Sequence, residues 1–291
     1  MRSRTLPKGD RMDAKERVFT IDLGTSGPKV ALFTMIAELI DLEFEPVKLY
    51  LLPGGGAEQD PREWWQAIVR AARRLNARNR SEACRVSVVS CTGQWSGTVA
   101  VDCFGEPLMN AIIWMDMRGA PYVKKISDRL AKVFGHSLPK FVAGVRLTGA
   151  PPGHAGKDSL AHILYIKNRL PSVYRETYKF LEPKDWINLL LTERFASSYD
   201  AITSHFVTDN GDLGRIVDND RLFALSGVSC AKLPELVSAL DFLGPLTWEA
   251  SGALGLPFDA RVVAGTPGIF SAAIGRSSQN FVGPAFLEKA R

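Results

Sequence analysis

The chain has 291 residues, 46% hydrophobic and 23% charged, which suits a globular protein with a sizeable core and excludes a disordered or fibrous chain. The formal charge is +5, but Arg2, Arg4, Lys8, Arg11, Lys15 and Arg17 precede the first apolar strand, so the excess reads as a disordered, solvated basic tail over residues 1–16. No basic patch interleaved with aromatics follows, and there is no run of about eighteen apolar residues and no signal-peptide core, so nucleic acid and membrane drop out as partners and the cytoplasm is the expected location.

Cys84, Cys91, Cys103 and Cys230 lack metal-ligand spacing and read as reduced thiols, three of them in apolar, strand-like context and expected to be buried. In chain order, Val18, Phe19 and Ile21 predict a buried strand that delivers Asp22 into the turn Gly24-Thr25-Ser26-Gly27 ahead of Lys29. A carboxylate at a strand end can hold hydrated Mg²⁺, which takes one or two carboxylates plus phosphate oxygens. Gly24 and Gly27 allow positive φ and close approach, Thr25 and Ser26 offer hydroxyls and N–H groups to an anion, and Lys29 adds charge. A strand ending in Asp-x-Gly-Thr is also an ordinary β-turn, and the motif alone leaves both readings open. Val30, Leu32 and Phe33 predict the second strand of a hairpin.

Asp60-Pro61-Arg62-Glu63 predicts a helix start with Asp60 as N-cap, Pro61 at the first helical position and Glu63 closing a capping box, the helix running past Trp64, Trp65, Ile68 and Ala72 toward Leu75. A buried strand over 85–91 ends at Thr92-Gly93-Gln94-Trp95-Ser96-Gly97, a strand follows over 98–102, and 111–114 is a strand tip carrying Asp116 and Arg118. In α/β sheets ligands collect at such carboxyl ends. Beyond it come a helix from Pro121 to about Leu130, a Gly/Pro-rich loop over 148–158 with His154, and helices over 158–168, capped by Asp158, and 183–191. Residues 197–209 read as a loop or short helix and 233–236 and 244–257 as loop-rich. A last strand from Arg261 ends in Gly265-Thr266-Pro267-Gly268 before a buried helix start over 269–274, and 276–291 has no periodicity.

Six stretches in order resemble the FGGY family of sugar kinases, near its xylulokinase branch: Asp22 to Gly27; Glu58 to Pro61 with Trp64-Trp65; Thr92-Gly93-Gln94 with Gly97; Ile113 to Arg118; Pro183 to Asn188 before Leu191-Thr192; and Val263 to Pro267 with Ser271 to Gly275. The resemblance covers 17–275 and implies an α/β, ribonuclease-H-like (actin-like ATPase) domain: a mixed five-stranded sheet flanked by helices, with a helical segment inserted on the sugar side. It implies that Asp22 organises Mg²⁺, that Gly24, Thr25, Ser26 and Lys29 meet the transferred phosphoryl group, and that Gln94, Trp95, Ser96, Trp114 and Asp116 line a sugar or polyol pocket, with ATP as co-substrate. Trp114 also reads as a core aromatic, Asp116 with Arg118 as a surface ion pair, and His154 as an ordinary loop residue.

Departures from the family pattern qualify this. The family's base, an Asp in the turn after the last strand, is Gly268 here; general-base catalysis is worth on the order of 10²–10⁴-fold. Only a divergent tail over 276–291 follows, so the family's C-terminal nucleotide lobe is expected to be absent, with a homodimer or a complementing lobe as possible partners. Gln94-Trp95-Ser96-Gly97 stands where xylulokinases often have Gln-Met-His-Gly. The resemblance implies ATP-dependent phosphorylation of a ketose or polyol of the pentulose type, with low activity for this chain alone. A non-catalytic sugar-binding or regulatory module, an actin-like nucleotide switch and a decayed kinase fragment are the competing readings.

Overall fold

In the computed structural model, residues 16–125, 155–211 and 216–278 are described. The expected tail up to residue 15, the Gly/Pro-rich loop up to His154 and the segment beyond 278 lie outside them.

The strands are β1 (Arg17–Gly24), β2 (Gly27–Thr34), β3 (Leu39–Phe44), β4 (Tyr50–Leu52), β5 (Gly56–Gln59), β6 (Val86–Gly93), β7 (Val99–Val101), β8 (Ala111–Ile112), β9 (Lys179–Leu181), β10 (Ala196–Ser198), β11 (Thr208–Asp209), β12 (Val217–Asp218), β13 (Glu235–Val237), β14 (Phe242–Pro245) and β15 (Arg261–Val263). The helices are α1 (Pro61–Arg78), α2 (Arg80–Ala83), α3 (Ser159–Arg169), α4 (Pro171–Glu176), α5 (Pro183–Thr192), α6 (Tyr199–Ile202), α7 (Asp220–Ser226), α8 (Trp248–Leu254) and α9 (Gly268–Ser278). A further helical stretch occupies 120–125, and the rest of the helix expected to reach Leu130 lies outside the described residues.

The main sheet runs β14-β15-β6-β1-β2-β3. β1 pairs with β6, and β6 with β15, in parallel; the other neighbours are antiparallel. Alternation drives β1 into place, because Phe19, Ile21 and Leu23 all fall on one side of the pleat and are fully buried. They join Val30 and Leu32 of β2, Val89 and Cys91 of β6, and Trp64, Ile68 and Leu75 of α1 in one core. Trp64 meets Trp186 of α5 edge-on at 6.3 Å, so α1 and α5 are both fastened to that core. A second apolar cluster joins Ile112 of β8 to Leu160 and Ile163 of α3 and Phe180 of β9.

Several expectations are corrected. The sheet has six strands and not five. The sixth, β14, overlaps at Gly244 and Pro245 the stretch from 244 read as loop-rich; at a sheet edge both residues are tolerated, and the strand pairs with β15 through an irregular register. The 244–257 stretch also holds α8, whose N-cap Thr247 accepts from the Ala250 N–H at 3.0 Å. Residues 197–209, read as a loop or short helix, do hold the short helix α6 followed by a 3₁₀ turn, and add parts of β10 and β11 on either side. At the start of α1, Asp60 caps the Arg62 N–H at 2.9 Å as expected, whereas Glu63 accepts from the Lys48 N–H at 3.3 Å. Only Cys91 of the four thiols is buried. The helix α9 starts where expected, but its Ile269 and Ile274 side chains are 59% and 64% exposed and not buried as expected.

Gly265, between β15 and α9, has φ of +70° and a Cβ there would lie 2.1 Å from the Cys91 carbonyl oxygen. Gly265→Ala should therefore lower the unfolding free energy by more than about 1 kcal/mol, whereas Gly252→Ala in α8, where nothing lies within 4 Å, should raise it by about 0.5–1 kcal/mol in urea titrations.

Candidate functional site

Asp22 stands near the carboxyl end of β1, in register with Lys29 of β2 on one side and Thr92 of β6 on the other. Burial pushes its carboxyl above the usual value, and the nearby Lys29 ammonium offsets part of that rise. Beyond it the chain reverses through Gly27, whose φ is +148° and where a Cβ would fall 2.0 Å from the Glu45 carbonyl oxygen. β6 ends beside it. The Gln94 N–H donates to the Leu23 carbonyl at 2.8 Å, and Gly93 passes so near that a Cβ would lie 2.9 Å from the same oxygen.

A cavity of about 520 Å³ opens at these strand ends. Asp22, Gly24 and Thr25 line it from the first turn, Gly93 to Ser96 from the second, Trp114 from beyond β8, Lys157 and Asp158 from the approach to α3, and Gly268 and Ile269 from the start of α9. Trp114 is no core aromatic: it is 41% exposed, and its Nε1–H donates to Thr25 Oγ1 at 3.0 Å. The Lys157 ammonium stands 5.8 Å from its ring centroid. Trp95 is fixed at both ends, with Nε1–H donating to the Ala201 carbonyl at 3.1 Å and the ring meeting Phe270 of α9 edge-on at 5.3 Å. Ser96 holds a left-handed backbone, φ +60°, a conformation rare for a residue with a side chain and concentrated at functional sites.

Other expected site residues lie elsewhere. Ser26 is exposed at the turn tip, and Lys29 is also solvent-exposed; neither lines the cavity. Asp116 is fully buried and is not among the lining residues: its Oδ2 accepts from the Ala57 N–H and from Arg118 Nε, both at 2.8 Å, and its Oδ1 from the Arg118 N–H at 2.9 Å. Arg118 also reaches Glu58 at 2.7 Å and lies over the Tyr165 ring at 4.5 Å. A carboxylate so enclosed is stable only beside its guanidinium, so the pair is a buried brace between β5 and the 113–118 turn and not the surface pair expected.

Sequence reasoning missed four residues. Lys157 and Asp158 were read as loop and helix cap; the Asp158 side chain makes no capping bond and lines the cavity. Gln59 was part of a motif without a role. It is fully buried, its Nε2 donating to the carbonyls of Thr25 at 2.8 Å and Lys48 at 3.1 Å, while its Oε1 accepts from Gln94 Nε2 at 2.9 Å. Glu182, ahead of α5, accepts from the Gly97 N–H at 3.0 Å and bonds the hydroxyls of Ser159 and Ser204, tying the second turn to α3. Burial, the largest cause, pushes its carboxyl up to about 8, with Asp185 adding to the rise and the serine bonds opposing it. The only available hint was one acidic residue beside the Pro183 motif.

No group of three His, Cys, Asp or Glu side chains that could cage a metal occurs among the described residues. Asp22 with the adjoining Gly24-Thr25 turn fits a divalent cation that takes its remaining ligands from phosphate oxygens and water.

Residues 18–275 match the FGGY family of carbohydrate kinases, N-terminal domain. The chain belongs to that family. Among FGGY relatives, it is 28% identical over 251 residues to a xylulose kinase of Staphylococcus epidermidis and 28% identical over 246 residues to a xylulose kinase of Escherichia coli. These alignments take in 86% and 84% of this chain and 47% of each relative, so the chain spans about half the length of the curated relatives it matches. The fold matches the xylulose kinase from Rhodospirillum rubrum with a TM-score of 0.77 at 21% identity, over 89% of this chain and 50% of that one. It matches Plasmodium falciparum glycerol kinase with ADP equally well, with a TM-score of 0.77 at 17% identity over 90% and 50% of the two chains. The ribonuclease-H-like architecture of the FGGY kinases is thus the architecture of this chain. No helix among the described residues is long and apolar enough to cross a membrane.

Two predictions follow from the buried carboxyls of this FGGY domain. Asp22 has a raised folded pKa, so the folded state holds its proton longer than the unfolded chain, and stability falls as pH rises between the two values. Asp22→Asn should therefore raise the midpoint of thermal unfolding at pH 7. For Glu182 the window runs from about 4.5 to about 8. Wild-type stability should decline across it, and Glu182→Gln should flatten that decline in denaturant titrations at successive pH values.

Proposed function

We propose that this chain is the sugar-side half of an ATP-dependent carbohydrate kinase, binding a ketose or polyol of the pentulose type in the cavity at the ends of β1 and β6. The reaction would move the γ-phosphoryl group of ATP to a hydroxyl of that substrate. The observation that carries the reading is the convergence of Asp22 and Thr25 with Gln94, Trp95, Ser96 and Trp114 around one cavity. The first pair suits a phosphoryl group and its cation; the second set offers two indole faces to C–H groups together with an amide and a hydroxyl for sugar hydroxyls. Asp22 would hold Mg²⁺, which when bound neutralises charge on the phosphoryl oxygens. Thr25, held by Trp114, would orient that group. Ser26 and Lys29 would contribute only if the turn shifts on binding.

Phosphoryl transfer also requires a second lobe to carry the nucleotide and close over the cavity. Titrating pentuloses, polyols and hexoses while following fluorescence should show saturable quenching of Trp95 and Trp114 for at least one pentulose or polyol; no binding at millimolar concentration refutes the sugar pocket.

Gly268 favours a second reading, a sugar-binding or regulatory module without turnover. It lines the cavity and carries no proton acceptor, and by the order of motifs it would stand where the family has its base. A Cβ there would lie 3.0 Å from the Gly93 carbonyl oxygen, close enough that an aspartate fits only after a shift of a few tenths of an ångström. In a protein that carries both lobes, Gly268→Asp should raise kcat by about 10²–10⁴-fold with little change in sugar affinity. Equal turnover with and without the substitution would refute the assignment of position 268 as the base.

A further inference from the structure

Trp114 and Thr25 both line the cavity and meet through one hydrogen bond, Trp114 Nε1–H to Thr25 Oγ1 at 3.0 Å. The bond lies where solvent reaches it, with Trp114 exposed and Thr25 half-buried. Its direction is fixed, because an indole N–H can only donate. Thr25 Oγ1 is therefore the acceptor, and the one proton of its hydroxyl finds no acceptor among the described residues. That proton is left for solvent or for an occupant of the cavity.

Both partners are held from β5. Gln59 Nε2 donates to the Thr25 carbonyl at 2.8 Å, which pins the turn between β1 and β2. The Ala57 carbonyl accepts from the Ile113 N–H at 3.1 Å, and the Ala57 N–H donates to Asp116 Oδ2 at 2.8 Å, which pins the chain on either side of Trp114. Two turns fixed on one strand bring the indole to the hydroxyl, so the hydroxyl is aligned before a ligand arrives.

We propose that Trp114 is a positioning residue for the phosphoryl group: by filling an acceptor site of Thr25 Oγ1, it commits the Thr25 hydroxyl proton to an oxygen of the anion that the turn receives. The inference deepens the sugar-kinase reading and rests on it for the identity of that anion. The threonine keeps its proton throughout. A hydroxyl that accepts from an N–H donates more strongly in turn, because linked hydrogen bonds polarise one another. The wall offered to the sugar and the turn offered to the phosphoryl group thus share one bond, between residues 89 positions apart in the sequence.

Calorimetry on the whole chain with inorganic phosphate and Mg²⁺ tests this, with pentuloses and polyols titrated in parallel. Thr25→Val keeps the shape and removes the hydroxyl, and should weaken phosphate binding by about tenfold or more, the worth of a hydrogen bond to a charged group. Trp114→Phe keeps an aromatic ring and removes the donor, and should weaken it by about threefold. Added to Thr25→Val, Trp114→Phe should have no further effect, because its partner is already gone. Thr25→Ser should bind phosphate as wild type does. An equal loss from Trp114→Phe with and without the Thr25 hydroxyl overturns the proposal, as does no loss at all or a wild type that binds no phosphate at millimolar concentration. A readout on the wild type serves if a variant does not fold: in a nitrogen–proton correlation spectrum the Trp114 indole N–H signal should move when phosphate and Mg²⁺ are added, and an unmoved signal overturns the proposal. Phosphate bound in the expected pattern with no sugar or polyol bound supports the proposal and overturns the sugar pocket. Sugar bound, with phosphate binding indifferent to Trp114, overturns the proposal and leaves the pocket standing.

Discussion

The parallel ladder between β1 and β6 brings two turns far apart in sequence to the same edge of the sheet, and the site is built on that juxtaposition. The pairing runs from Arg17 and Val86 to Leu23 and Gly93 and is extended one step by the Gln94 N–H to the Leu23 carbonyl. Because a parallel pair ends at one level, the loop after each strand leaves from the same place, the general reason that ligands collect at carboxyl ends. Gly93 permits the close approach; any Cβ there would collide with Leu23. Asp22 and Gln94 consequently line one cavity without either loop having to reach.

Above that ladder, polar groups taken out of water supply the alignment. Gln59 links the Thr25 carbonyl to the Gln94 amide, Glu182 links Gly97 to Ser159 and Ser204, and the Lys184 ammonium and Asn188 amide hold the Ala264 carbonyl just before the Gly265 turn. Thr92 bonds the Thr266 carbonyl at 2.6 Å, bringing the third turn to the other two. Each such group is costly if left unpaired in a medium of low dielectric, so these networks favour a single arrangement of the turns more strongly than apolar contacts would. The turn that carries Gly268 is thus held in place by residues other than Gly268 itself, through the Thr92 bond to the Thr266 carbonyl and the Lys184 and Asn188 bonds to the Ala264 carbonyl.

The family and the main strands were legible in the residues themselves. Strict alternation in β1 and β2, the Asp60-Pro61 helix start and turns rich in Gly, Ser and Thr are local signals, set by side-chain period and backbone freedom, and they survive without tertiary context. Elements whose existence depends on a neighbour were not legible. β14 contains Gly244 and Pro245 and forms only because the edge of β15 is available; α8 is too short to declare itself. Side-chain roles show the same division. Asp22 stands near a strand end, and the two-residue period puts it on the opposite side of the pleat from Phe19, Ile21 and Leu23; that it lines a cavity is shown by the fold. Asp116, equally polar and equally near a strand tip, is drawn away by Arg118, whose partner Glu58 comes from another strand.

The sequence by itself determined the main strands and their polar ends, through strand period and turn composition, and pointed to the family through the order of its motifs; the ribonuclease-H-like sheet with Asp22, Thr25, Gln94 and Trp114 at one end is what that resemblance implied. Only the tertiary structure decided which nearby polar residues border the cavity: Lys157 and Asp158 line it, Gln59 bonds the lining Gln94, and Ser26, Lys29 and Asp116 are not among its lining residues. The reason is physical. A side chain's direction on a strand is a local property, but the partner that neutralises a buried charge or aligns a buried amide comes from wherever the chain folds back, and no spacing in the sequence records it.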